Sequence, residues 1–125
     1  MNVRKFSFGK IKLLQSGLAE VIVDEGVDIN TEMVDEIHQV FLSIFPGAFS
    51  LLINKSNSYS TQLDALIKFG TLKAINKIAV FAPNQMAKLS ADFAANIPSS
   101  AVLDIQVFTD RDDALAWLND IAKAI

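Results

Sequence analysis

The chain has 125 residues, no cysteine and a formal net charge of -3, with 51% of its residues hydrophobic and 20% charged. That balance excludes a disordered chain, a disulfide scaffold and a thiolate metal site. The acidic charge sets nucleic acid aside as a partner, and the length is that of one domain spanning 1–125.

The chain opens with Arg4, Phe6 and Phe8 on one face of an extended segment, which Gly9 bends into a second, where Ile11 and Leu13 alternate with lysines. Ser16 and Gly17 form a turn signal, and residues 19–24 alternate again. Close spacing and short turns predict an antiparallel meander. After Gly26 the period changes. Asn30 or Thr31 caps a helix whose apolar stripe is Met33, Ile37, Val40, Phe41 and Ile44, and Pro46-Gly47 ends it.

The apolar run 49–53 then predicts a strand buried on both faces, followed by a polar loop over 54–60. Thr61 and Asp64 fit a capping box for a helix carrying Leu63, Leu66, Ile67 and Phe69. The run 77–81 is a further buried strand. Pro83-Asn84 opens a helix with Met86, Leu89, Phe93 and Ile97, which 98–100 break. A last strand at 104–108 leads into a terminal helix with Ala114, Trp117, Leu118, Ile121 and Ile125 on its inner side. Helices alternating with strands demand parallel pairing. The expected fold is α/β: a single mixed β-sheet, an antiparallel N-terminal meander followed by βα units with parallel strands, and about four helices.

Three stretches carry a family resemblance. They are Arg4-Lys5-Phe6-Ser7-Phe8-Gly9, Asn57-Ser58-Tyr59-Ser60, and the ending from Phe108 to Leu118 that includes Asp112-Asp113-Ala114-Leu115-Ala116-Trp117-Leu118. With the order of elements, they resemble the small bacterial SpoIIAA-like domains, which are related to STAS and CRAL-TRIO domains. The resemblance implies a non-enzymatic regulatory or protein-interaction module. In anti-sigma-factor antagonists of this class, a partner kinase phosphorylates a hydroxyl in a loop after a central strand. The matching loop here is Asn57, Ser58, Tyr59, Ser60 and Thr61; the hydroxyls are present, but the family's aspartate and glycine are not. CRAL-TRIO domains bind lipids in an apolar pocket, although they are much longer than this chain.

Read from the residues alone, the loop hydroxyls fit either a phosphorylated switch or plain loop and cap hydrogen bonds. The nine phenylalanines exceed what the stripes need, and Phe6, Phe8, Phe45 and Phe49 are candidates for an apolar contact or ligand surface. An alternative function is therefore a small carrier of a lipid-like or other apolar molecule. A homodimer is a further candidate.

Charge is segregated. Arg4, Lys5, Lys10 and Lys12 form a basic stretch, and Glu20, Asp24, Glu25, Asp28, Glu32, Asp35 and Glu36 an acidic one. Either they polarise a partner surface, or the lysines protect a sheet edge while the acids favour a helix N-terminus. The single histidine, His38, lies mid-helix with no nucleophile near it in sequence. Adjacent acids such as Asp112 and Asp113 point apart. No catalytic residue, metal site or cofactor is expected. The lysines interrupt any leader-like apolar run, and nothing approaches the ~18 apolar residues of a membrane span. The expectation is a cytoplasmic chain without stable membrane insertion.

Overall fold

The computed structural model describes residues 3–95 and 104–123. The elements run β1 (Val3–Phe6), β2 (Gly9–Gln15), β3 (Leu18–Val23), β4 (Asp28–Ile29), α1 (Thr31–Ile44), β5 (Phe49–Asn54), β6 (Ser60–Thr61), α2 (Leu63–Phe69), β7 (Ile75–Phe81), α3 (Gln85–Ala95), β8 (Asp104–Phe108) and α4 (Arg111–Lys123). The break expected at 98–100, and the inner positions Ile97 and Ile125, lie outside the described residues.

The main sheet has the order β1-β2-β3-β5-β7-β8, and β4 with β6 makes a separate two-stranded pair. Strands β1, β2 and β3 are antiparallel, whereas β3, β5, β7 and β8 run parallel. The parallel strands follow one another in chain order, so three right-handed crossovers put α1, α2 and α3 on the same face. After β8 the chain returns beneath the sheet, and α4 packs against β5, β7 and β8 from the other side.

The two faces are legible in the side-chain period. Ala19, Val21, Leu51, Ile78 and Val80 join Ile37 and Phe41 in the larger core. Leu18, Leu52 and Ala79 meet Ala114 and Leu118 in the smaller one. Leu51, Leu52 and Ala79 are fully buried, which explains the continuous apolar runs of β5 and β7.

Two local expectations change, and one alternative is resolved. The first hairpin turns at Ser7 and Phe8, because Phe6 pairs with Gly9; Phe8 leaves the strand face and swings into the core, its ring edge-on to Phe6 at 4.6 Å. Gly9 is needed there, since a Cβ would overlap the Ile22 carbonyl oxygen on the neighbouring strand. Asn30, rather than Thr31, caps α1: its Oδ1 accepts from the Met33 N–H at 3.0 Å. Thr61 belongs to β6, and α2 begins after Gln62 without a side-chain cap.

Candidate functional site

A cavity of about 270 Å³ lies between the sheet and the helices on its larger-core face. Its floor is Val21 and Val23 of β3, Ile53 of β5, Ile78 and Val80 of β7, and Ile105 of β8. Its roof comes from Val34 and Ile37 of α1 and Leu66 and Phe69 of α2. Phe8, Ile29, Tyr59, Ser60 and Thr61 surround one end. The cavity thus reaches the carboxyl ends of the parallel strands, where open α/β sheets place ligands.

The loop over 54–61 is strapped to residues 23–29 by a ladder of hydrogen bonds. Asn57 Nδ2 donates to the Val23 carbonyl at 2.9 Å, and the Gly26 N–H to the Ser58 carbonyl at 2.7 Å. The Ser58 N–H lies 3.1 Å from both Glu25 carboxylate oxygens. The Ser60 N–H reaches the Val27 carbonyl at 2.9 Å, while Ser60 Oγ and Gln62 Nε2 hold the two oxygens of Asp28 at 2.7 and 3.0 Å. These bonds hold the Asp28 carboxyl below the ordinary carboxylate range.

Lys55 supplies the cationic group at the cavity wall. Its backbone N–H is fixed to the Phe81 carbonyl at 2.8 Å, and its Nζ lies 3.9 Å from the centroid of the Tyr59 ring. No carboxylate among the described residues pairs with it. Burial alone lowers its pKa, and burial raises that of Tyr59.

The family model described as SpoIIAA-like matches residues 23–119. The chain belongs to the SpoIIAA-like family. A crystal structure of an uncharacterized protein from the DUF3478 family with a SpoIIAA-like fold, from Shewanella loihica PV-4, is similar over 92% of this chain and 97% of that one. The TM-score is 0.59 and the identity 16%, which speaks to the fold alone. Among curated proteins, none matches this sequence.

In this SpoIIAA-like chain, the sequence-derived site residues separate into groups. Tyr59, Ser60 and Thr61 come together at the cavity, whereas Asn57 and Ser58 tie the loop to β3 and Glu25. Phe8 lines the cavity and Phe6 packs against it. Phe45 and Phe49 are buried away from the cavity, stacked on each other at 4.4 Å.

Two features escaped the sequence reading. Lys55 looked like one more polar loop residue, and only the fold turns it toward an apolar space. Glu20 looked like one member of the acidic run, yet it is 2% exposed, on the α4 side of the sheet. Arg111 Nη2 donates to its Oε1 at 2.6 Å and Asn54 Nδ2 to its Oε2 at 2.8 Å. A glutamate breaking an otherwise apolar strand was the available signal.

His38 contacts the rings of Phe41 and Phe69 and holds the Phe69 carbonyl at 3.1 Å. Among the described residues, no group of three or more potential ligands is arranged for a metal ion. No described helix is long and apolar enough to cross a membrane.

Proposed function

We propose that this SpoIIAA-like protein is a non-enzymatic binding module that holds a small apolar molecule between the sheet and α1–α2. The observation that carries this reading is the apolar cavity at the carboxyl ends of the parallel strands. Most of its lining is Val, Ile, Leu and Phe side chains, which offer water no polar partner; the polar groups gather at Lys55 and residues 59–61. Family membership supports the broader class of regulatory or interaction module. The strap over 57–61 would then report occupancy, because Tyr59, Ser60 and Thr61 touch the cavity and the same strap reaches the surface through Ser58.

Native mass spectrometry of freshly purified protein, with amide NMR titration of 1-octanol, tests the proposal. A co-purifying apolar ligand, or octanol shifts centred on Ile53, Leu66 and Ile78, supports it. A bare mass together with no octanol response overturns it.

A second reading, docking of a protein partner beside this loop, is favoured by Leu63 and Ile67. They lie one turn apart on α2 and are 57% and 40% exposed. With a second copy as the partner, wild-type sedimentation rises with concentration and Leu63→Glu abolishes the rise. A wild-type monomer at high concentration overturns the homodimer.

A further inference from the structure

We infer that the ligand is an amphiphile with one carboxylate head, and that Lys55 receives this head. The inference rests on the cavity being a ligand site, as proposed above, and adds the chemical class.

Size comes first. A volume of about 270 Å³ corresponds to about nine water volumes, so it encloses about nine or ten non-hydrogen atoms of an occupant. A medium-length alkyl chain or a single substituted ring is of that size.

Charge comes second. Lys55 lines the cavity, and its ammonium group rests on the Tyr59 ring with no carboxylate beside it among the described residues. A lysine withdrawn from water without a counter-ion is costly, and a ring face offsets only part of that cost. The lowered Lys55 pKa follows from this desolvation. An anion entering the cavity supplies the missing partner.

The count of charges selects the head. Among the described residues, Lys55 is the one cation that lines the space, and the hydroxyl-bearing Tyr59, Ser60 and Thr61 line it as well. The Ser60 hydroxyl is itself committed to Asp28, which does not line the cavity. A doubly charged phosphate would leave one negative charge without a cation to balance it, since Lys55 carries a single charge. A monocarboxylate matches the site in both charge and volume.

The experiment compares octanoate with 1-octanol at pH 7 by amide NMR titration, in the wild-type protein and in Lys55→Met, which keeps the length of the apolar stem. In the wild type, octanoate binds about tenfold or more tighter than octanol, the scale of a hydrogen bond to a charged group. In Lys55→Met that preference is lost while octanol still binds. Equal or weaker binding of octanoate by the wild type overturns the carboxylate inference and leaves the apolar cavity standing. A preference that survives Lys55→Met overturns the role of Lys55. Failure of both ligands to bind the wild type removes the cavity reading itself. The wild-type comparison decides the head group even if the variant does not fold.

Discussion

Arg111 in the first turn of α4 closes a charge-assisted hydrogen bond of 2.6 Å on Glu20, 91 residues earlier in β3. The Glu20 side chain is 3% exposed and that of Arg111 39%, so the contact joins a buried anion to a half-solvated cation. Burial would raise the Glu20 pKa; the hydrogen bonds from Arg111 and Asn54 and the charges of Arg111 and Lys12 outweigh it and hold the carboxyl below its ordinary 4.5. Arg111→Met leaves the buried carboxylate without its cation. The expected cost is about 2–3 kcal/mol, less than for a fully buried pair because the cation is part-exposed. Because the folded pKa is depressed, the stabilisation is complete above the unfolded value and lost as pH falls through the folded one. Urea unfolding should show the gap between wild type and variant narrowing below pH 4.5. A gap that stays constant into acid would contradict the assignment.

A negative charge at Ser60 is expected to loosen the strap. Ser60 Oγ donates to Asp28 at 2.7 Å, so Ser60→Asp replaces a donor by a second anion facing the first. The β4–β6 pair has only two residue pairs, Asp28 with Ser60 and Ile29 with Thr61, and the Ser60 side chain bonds directly to one of them. Hydrogen exchange should speed up at the Ser60 and Gln62 amides, which donate to Val27 and Ile29, while β5 and β7 keep their protection. Ser60→Ala removes the hydroxyl without adding charge and should have the smaller effect. Equal exchange in both variants would show that charge is not what the strap senses.

The sheet and helix pattern was readable because it depends on local periodicity. Leu51, Leu52, Ile78 and Ala79 declare buried strands by adjacency, and Ile37 and Phe41 declare a helix face by spacing, although the fully buried face turns to include Val34 while Met33, Val40 and Ile44 are only partly buried. The site was less readable because its bonds are long-range. Glu20, Glu25, Asp28, Asp35 and Glu36 read as one acidic run, yet they hold donors from Arg111, Ser58, Ser60, Lys68 and Ser7 respectively. The run is thus a set of clasps between segments. Periodicity carries no information on such partners. The short strands β4 and β6 were hidden for the same reason: two residues each are too few to alternate.

His38 should make stability fall on mild acidification. Its Nε2 lies 3.1 Å from the Phe69 carbonyl, so that nitrogen carries the proton in the neutral ring. Burial lowers its pKa; the Phe69 hydrogen bond and Asp35 oppose the shift in part, and Lys68 adds to it. The unfolded chain therefore takes up this proton first as pH drops through the ordinary 6.5, and stability declines until the folded ring also protonates. His38→Gln keeps a neutral donor near the carbonyl and has nothing to titrate. Its urea midpoint should change less between pH 7.5 and pH 5.5 than that of the wild type. Parallel changes would place the acid sensitivity elsewhere.

Filling the cavity separates binding from folding. Ile78 is 4% exposed, sits in β7 between β5 and β8, and borders the cavity. Enlarging a packed core residue costs about 1–3 kcal/mol through strain, but here the added ring has a void to enter. Filling such voids commonly adds about 0.5–2 kcal/mol of stability. Ile78→Phe is therefore expected to hold or raise the unfolding midpoint while weakening octanol binding by tenfold or more. Leu52→Phe is the contrasting case: Leu52 is fully buried on the opposite face, against Ala114 and Leu118, and does not line this cavity. That substitution should lower the unfolding midpoint and leave the larger-core face free to bind in the molecules that fold. Octanol affinity unchanged in Ile78→Phe would mean that the ligand site is not this cavity.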